Sequence, residues 1–214
     1  MSPLLELIRI RCARTSHPAA VFGNDLAILY RAEELGLDPG GRKAFYRPCA
    51  EPVLLSFWER FEQLTLTDEC ALNLVGLLCG SRQEPRSARV VGVAPDGGRF
   101  AFKERPDSNW LHQVLTISRD GTFEAAAEVA RLVLWNHPFT DGNGRLARAL
   151  FYLPLIQGGA INKPCLGLNG AFDVSRDALA LAFRRSIASG NRDVWCDAVA
   201  DAVRLGLELM DGCR

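Results

Sequence analysis

The sequence predicts an all-α fold, a helical bundle that carries one small β-hairpin. Apolar residues recur at spacings of three and four along most of the chain, which is typical of helices with one buried face. One passage departs from this spacing. There, β-prone runs at 89–93 and 99–103 flank Ala94-Pro-Asp-Gly-Gly98, a composition that favours a tight hairpin turn.

Each predicted helix is a stretch over which the apolar spacing persists. The stretches are Leu4 to Ile10, Leu26 to Leu35, Val53 to Leu64, Leu72 to Leu78, Phe123 to Trp135, Arg145 to Ile156, Ser175 to Ser189 and Val194 to Met210. Asp173-Val-Ser175 and Asn191 supply N-cap chemistry before the last two helices, and Gly190 is suited to end the first of them. These two helices are therefore expected to form a hairpin.

The length of 214 residues suits one core with a decoration. Glycine and proline cluster at residues 36–52, which predicts a loop or joint. We accordingly divide the chain into an N-terminal helical extension, residues 1–49, to which no role is assigned, and a main domain, residues 50–214.

Charge and cysteine usage exclude several classes of partner. The 25 basic and 25 acidic residues balance, so no overall field would draw the protein to nucleic acid or to an anionic membrane. Apolar stretches such as Ala125 to Trp135 are too short to span a bilayer, and the N-terminus lacks a secretory apolar run. The seven cysteines are scattered and never spaced as C-x-x-C, which disfavours disulfides and zinc. We expect a cytoplasmic protein, and delivery to another cell as an effector stays open.

Residues 137–148, His-Pro-Phe-Thr-Asp-Gly-Asn-Gly-Arg-Leu-Ala-Arg, concentrate the residue types of a phosphate site. Pro138 should stop the preceding helix, so His137 is expected to lie at a helix end that faces a loop. The glycines that follow can turn backbone N–H groups inward at the start of the next helix, where the helix dipole favours an anion. The loop is therefore predicted to hold phosphate.

The charged side chains of this segment fit the same chemistry. Arg145 and Arg148 are three residues apart, so both can reach phosphate from one helix face. Asp141 supplies a hard oxygen ligand suited to Mg²⁺ beside phosphate oxygens, and His137 is suited to act as a general base. Each feature alone is weak, but together they predict phosphoryl or nucleotidyl transfer, without the lysine of a P-loop.

The segment resembles the Fic signature, H-x-F-x-D/E-G-N-G-R-x-x-R, and every specified position is filled. The resemblance covers about residues 50–210 and is less clear over 1–49. It implies the all-α Fic fold and Mg²⁺-dependent transfer of AMP from ATP to a Ser, Thr or Tyr hydroxyl of a target protein, called AMPylation. Transfer of another nucleotide such as UMP from UTP, removal of AMP, and a non-catalytic binding protein remain alternatives.

The resemblance also implies a role for each residue of the motif. His137 resembles the general base, Asp141 the Mg²⁺ ligand, and Phe139 a buried aromatic that anchors the loop. The residues that resemble the nucleotide- and phosphate-binding set are Gly142, Asn143, Gly144, Arg145 and Arg148, the last of which meets the γ-phosphate.

The predicted hairpin resembles the family's flap, which pairs main chain to main chain with an extended segment of the target. The flap residues are Val90, Val91, Gly92 and Val93 on one strand and Phe100, Ala101, Phe102 and Lys103 on the other. Lys103, Glu104 and Arg105 would tune target choice or keep the edge soluble. The alternative is a hairpin that only covers the core.

Many Fic proteins are inhibited by a helix with the motif S/T-x-x-x-E-G/N, and no complete copy occurs in this chain. Glu6 and Glu69 have the right spacing but the wrong following residue, while Val21-Phe-Gly-Asn24 has phenylalanine in place of the glutamate. We hypothesise that inhibition within the chain is absent. Control would then come from a separate antitoxin-like partner, or be absent in an effector.

Overall fold

The computed structural model describes residues 3–15, 20–37 and 66–211. In these ranges the chain forms nine helices and one two-stranded antiparallel sheet, which confirms the predicted fold class. The helices are α1 (Pro3–Arg14), α2 (Ala20–Glu34), α3 (Asp68–Cys79), α4 (Trp110–Ser118), α5 (Phe123–Asn136), α6 (Asn143–Gln157), α7 (Leu168–Val174), α8 (Arg176–Ser189) and α9 (Asp193–Asp211), and the strands are β1 (Val91–Val93) and β2 (Arg99–Ala101).

Helices α5 and α6 pack against each other at the centre of the molecule. The Thr122 side chain caps α5 by accepting a hydrogen bond from the Ala125 backbone N–H at 3.0 Å. Both helices bury residues around most of their circumference, because α3, α4 and α9 pack on their outer faces. The motif loop is thus the connection between the two most buried helices of the fold.

Helices α8 and α9 form the predicted hairpin. Gly190 ends α8 with a φ of 69°, and the Asn191 side chain accepts a hydrogen bond from the Asp193 backbone N–H at 2.9 Å. The indole N–H of Trp195, on α9, donates to the Ala127 carbonyl at 2.7 Å. This bond ties the helical hairpin to the N-terminal half of α5.

Two short helices, α4 and α7, were not predicted. Helix α7 has only seven residues, too few for a repeating apolar pattern, and it contains Gly170. Ser175 does occupy the N-cap position of α8, as predicted, but its side chain makes no capping hydrogen bond, and Asp173 lies inside α7. The predicted helix Val53–Leu64, the boundary between residues 49 and 50, and residues 38–52 of the predicted loop lie outside the described residues.

Helices α1 and α2 share the core with the helices that follow residue 66. Leu4, Ile8 and Ile28 are buried in one continuous apolar cluster with residues of α5 to α9. Helix α2 packs against α7 and α9, so the N-terminal residues form part of the main body. No helix in the described ranges combines the length and the apolar content that crossing a membrane requires.

The β-hairpin formed by β1 and β2 is shorter than predicted. Val91 pairs with Ala101 and Val93 with Arg99, while Val90 and Phe102 lie just beyond the strands and share one hydrogen bond of 3.2 Å. Lys103 also lies outside the sheet, because its backbone N–H donates to the Trp135 carbonyl at the end of α5. The segment that follows β2 is therefore bonded to the end of α5, beside the start of the motif loop.

Aromatic packing and an ion pair hold the hairpin on α8. The rings of Phe100 and Phe102 lie 5.7 Å and 6.1 Å from the ring of Phe183. At the turn, both carboxylate oxygens of Asp96 accept hydrogen bonds from the Arg184 guanidinium. The hairpin is thus fixed at both its strands and its turn.

Candidate active site

His137 lies at the carboxyl end of α5 in a left-handed backbone conformation. Its φ of 47° is the only positive value of a non-glycine residue in the described ranges. The following Pro138 cannot continue the helix, and the His137 backbone N–H makes the last helical bond, to the Val133 carbonyl. This local strain turns the chain sharply into the loop, as the sequence predicts.

The loop that follows is held in place on both sides. Residues 83–86 run antiparallel to it, and the backbone N–H groups of Arg86 and Thr140 donate across to the facing strand. The Asn143 amide closes the loop from inside, since it accepts from the Phe139 N–H at 3.0 Å and donates to the Phe139 carbonyl at 2.7 Å. Phe139 itself is buried against Trp110, as its predicted anchoring role requires.

Gly142 is the N-cap of α6 and has a φ of 81°. A Cβ atom at this position would lie 2.4 Å from the Cys79 sulfur and 2.5 Å from a Val75 methyl group, so glycine is required by both conformation and space. The backbone N–H groups of Asn143, Gly144 and Arg145 follow in the first turn, where no intrahelical acceptor exists. This helix start can therefore receive an anion.

The two motif arginines extend from α6 beside this helix start. Arg145 is exposed and donates to the Cys79 sulfur at 2.8 Å. The Nε of Arg148 donates to the Asn169 side-chain oxygen at 2.5 Å, and one terminal nitrogen lies 3.6 Å from where a Cβ on Gly144 would be. One terminal nitrogen of Arg148 is thus close to the first turn of α6, and in the described residues no carboxylate forms an ion pair with this side chain.

The His137 ring is half-buried under the hairpin. The Phe102 ring lies against it, and the Nδ1 atom is buried without a hydrogen-bond partner. Burial, with a smaller effect of the Arg86 guanidinium, lowers the pKa of His137 to about 4, while the Leu134 carbonyl and Asp141 oppose the shift. The imidazole is therefore neutral near pH 7 and able to accept a proton.

Arg86 holds the hairpin, the loop and the end of α5 together. Its buried guanidinium makes five hydrogen bonds to backbone carbonyls, those of Ala88, Lys103, Glu104, Asn136 and His137. Burial also lowers the pKa of this side chain. Sequence analysis missed Arg86, because no signal distinguishes a buried arginine from the many exposed ones.

Asp141 is exposed at the loop, and its Oδ1 accepts from the Gly142 N–H at 2.6 Å. In the described part of the chain, no group of three or more His, Cys, Asp or Glu residues could hold a metal ion by itself. A single exposed carboxylate suits Mg²⁺, which commonly binds one protein carboxylate together with substrate oxygens and water. Asp141 fits that requirement.

The structure brings most of the predicted site residues together. His137, Asp141 and Gly142 lie on the connection between α5 and α6, and the remaining motif residues, Gly144, Arg145 and Arg148, follow in the first two turns of α6. Of the flap residues, Phe102 reaches the site, whereas Val91 and Val93 are on the exposed side of the sheet, with half or more of their surface accessible. Asn169 was not predicted, although it contacts Arg148 directly.

Comparison with known families agrees with this geometry. Residues 73–155 match the model of the Fic/DOC family, a range that includes the hairpin, the motif loop and most of α6. A comparison with curated proteins found no match. Over residues 73–155 the chain is therefore similar to the Fic/DOC family, as its motif indicates.

Proposed function

We propose that this protein transfers AMP from ATP, with Mg²⁺, to a Ser, Thr or Tyr hydroxyl of a target protein. The family includes nucleotidyltransferases. The observation that best supports the proposal is the meeting of a neutral histidine and an open helix start on one short connection. His137 ends α5 and Gly142 begins α6, so a proton acceptor and an anion site are separated by only four residues of loop.

In this proposal the start of α6 binds the phosphates. Backbone N–H groups of Asn143, Gly144 and Arg145 donate to phosphate oxygens, and the guanidinium groups of Arg145 and Arg148 add charge-assisted bonds. These fixed donors stabilise the charge that develops on the phosphate that is attacked and on the diphosphate that leaves. Mg²⁺ held by Asp141 and phosphate oxygens would neutralise part of that charge.

His137 accepts the proton of the attacking hydroxyl. With Nδ1 buried, Nε2 is the ring nitrogen left to face a substrate. A pKa of about 4 makes the free ring a weak base, but the negative charge of a bound triphosphate favours the protonated ring and raises that pKa. The proton can therefore move to His137 as the new bond to phosphorus forms.

The hairpin presents the target segment. Within the described residues no third strand pairs with this sheet, so an extended segment can add to one of its edges through main-chain bonds. Phe102, at the end of the hairpin, is in ring contact with His137. A target segment aligned on the sheet would therefore also be aligned with the base. Exposed Val91 and Val93 would then contact side chains of the target.

A labelling experiment tests the proposal. The purified protein, Mg²⁺ and a cell lysate are incubated with α-labelled ATP, UTP, CTP or GTP in turn. We expect label from ATP on a protein band, and a loss of at least about 100-fold in His137→Ala. His112→Ala, which replaces an exposed histidine on α4, is the matched control and should keep full activity.

The contrary results are equally specific. If only labelled UTP gave a labelled band, the transferred group would be UMP and not AMP. No label from any nucleotide, with His137→Ala indistinguishable from wild type, would exclude a transferase and leave a binding protein.

We further propose that control, where it exists, comes from a separate antitoxin-like protein. Support comes from Arg148, which contacts an amide and no carboxylate in the described residues, and from the exposed positions of Glu6 and Glu69. Replacing both glutamates by glutamine should leave label transfer unchanged. Strong activation of this variant would show inhibition from within the chain.

A further inference from the structure

A chain of hydrogen bonds connects the N-terminal part of the protein to the phosphate site. The Nε of Arg148, on α6, donates to Oδ1 of Asn169 on α7 at 2.5 Å. The Nδ2 of Asn169 donates to one oxygen of Asp25 on α2 at 2.9 Å, and the other oxygen accepts from the Gly170 N–H at 2.9 Å. Three helices from distant parts of the sequence thus meet beside Arg148.

The Asp25 carboxylate determines which way the Asn169 amide points. An ionised carboxylate only accepts hydrogen bonds, so the NH₂ group of the amide must face it. The amide oxygen is then left facing the Nε of Arg148, which can only donate. An amide turned the other way would place its NH₂ group against the guanidinium and lose both bonds.

This bond also sets the orientation of the guanidinium plane. Asn169 uses the Nε, and one of the two terminal nitrogens, Nη1, lies next to Gly144 at the start of α6. A planar fork binds phosphate well only when its plane is aligned with the oxygens. Holding the Nε therefore prepares the other nitrogens for a phosphate.

We propose that Asp25 is a positioning residue for Arg148: through Asn169, its carboxylate holds the guanidinium in the orientation that receives a phosphate of ATP. This inference rests on the proposed function, which assigns Arg148 to ATP. It gives the N-terminal helix α2 a part in the phosphate site.

The packing of α2 makes the arrangement rigid. Asp25 is 2 % exposed, and a Cβ on Gly170 would lie 2.7 Å from the Asp25 carbonyl oxygen, so the helices approach closely. The neighbouring Asn24 side chain donates to the Cys165 carbonyl at 3.2 Å. A buried carboxylate is costly to the fold, and an apolar residue would pack here at lower cost. Packing alone therefore does not explain Asp25, whereas a role in positioning Arg148 does.

The ionisation of Asp25 offers an independent readout. Burial raises its pKa to about 7, opposed by the bonds from Gly170 and Asn169 and by the charge of Arg148. Tyr152 of α6 also faces this group, and burial, together with the Asp25 charge, raises the pKa of its hydroxyl. A protonated carboxyl can donate as well as accept, so it no longer fixes the Asn169 amide. The KM for ATP should therefore rise as the pH falls below about 7.

The test uses Asp25→Asn and Asn169→Ala in the full chain, with Asp177→Asn, an exposed aspartate on α8, as the matched control. Label transfer is measured over a series of ATP concentrations, and thermal melting confirms that each variant folds. We expect the KM for ATP to rise about tenfold in both variants, with kcat within about twofold of wild type. The double variant should be no worse than either single one, because both changes break the same connection.

A purely structural role for Asp25 predicts a different result. It would lower the melting temperature without changing the KM, and the pH dependence of the KM would persist in Asp25→Asn. Either outcome would overturn the inference, as would an unchanged KM in Asn169→Ala.

A second measurement separates this inference from the proposed function. In protein containing isotope-labelled arginine, the Nε–H signal of Arg148 is assigned by its absence in Arg148→Lys. We expect slow solvent exchange of this hydrogen in the wild type and faster exchange with a shifted signal in Asp25→Asn. An unchanged signal would overturn the positioning role even if the wild type transferred no nucleotide at all.

Discussion

The ring of Phe102 lies against the imidazole of His137, with ring centroids 4.2 Å apart and planes inclined by 36°. This contact joins the hairpin to the proposed base, so the residue that shields the histidine from water also belongs to the surface expected to receive the target. Under the proposed function, the shielding of His137 and the alignment of the target would therefore depend on the same side chain.

Phe102→Ala should raise the pKa of His137. Removing the ring exposes the imidazole, and burial is the main cause of its low pKa of about 4. We expect a rise of about one unit, measured from the ring proton signals in an NMR titration. Phe100→Ala is the control, because Phe100 belongs to the same aromatic cluster but packs on Phe102 and Phe183, whereas Phe102 is the ring that lies against His137. An equal effect of both variants would contradict this account.

His137 and Asp25 should give the folded protein opposite trends of stability with pH. The pKa of His137 is 6.5 in the unfolded chain and about 4 in the fold, so between these values the unfolded chain binds more protons and His137 lowers stability as pH falls. The pKa of Asp25 rises from 3.8 to about 7, so over that interval the folded chain binds more protons and Asp25 lowers stability as pH rises.

Denaturant unfolding of the wild type and two variants checks these signs. Relative to wild type, His137→Ala should gain stability toward the acid end of its interval, and Asp25→Asn should gain stability toward neutral pH. Curves that run parallel to wild type at every pH would show that neither pKa differs between the folded and unfolded chain.

Arg86→Ala should destabilise the protein strongly. The five backbone carbonyls bound by this guanidinium are left without their donor, and we expect a loss of about 3 kcal/mol or more in the free energy of unfolding. Arg86→Lys should recover only part of it, because an ammonium group cannot reach so many acceptors. Arg82→Ala, whose side chain is 84 % exposed, should change little. Similar losses in the Arg82 and Arg86 variants would contradict the role of Arg86 in holding the hairpin, the loop and the end of α5 together.

Gly142→Ala should lower the free energy of unfolding by more than the left-handed backbone conformation of this motif-loop residue alone would cause. A left-handed alanine costs about 1 kcal/mol, and the overlap with Cys79 and Val75 adds about 1–3 kcal/mol. Gly190→Ala, at a φ of 69° with open space around it, isolates the conformational cost. Chemical denaturation measures both, and equal losses would show that the overlap is relieved without cost.

Arg184→Ala should separate target docking from nucleotide binding. Without the Asp96 partner the hairpin turn is released from α8, so hydrogen exchange at Val91–Val93 should accelerate. Labelling of the target protein should fall while the KM for ATP stays unchanged. Arg204→Ala, which breaks an exposed pair on α9, is the control. A raised KM for ATP would indicate that the hairpin supports the phosphate site instead.

Patterns that depend on near neighbours were readable in the sequence alone. The spacing of apolar residues determined the long helices in the described ranges, since burial of one face repeats every turn. The turn composition determined the hairpin, and the order of residues between His137 and Arg148 determined the motif loop. In each case the cause lies within a few positions of its effect.

The way these parts act together depends on contacts that form only in the tertiary structure. The carbonyls bound by Arg86 lie up to 51 residues away along the chain, and the bond between Asn169 and Asp25 spans 144 residues. The pKa of His137 depends on the position of the hairpin above it. Such bonds and burial arise from helix packing, so the sequence determined which groups are present and the fold decided which of them are buried, oriented and paired.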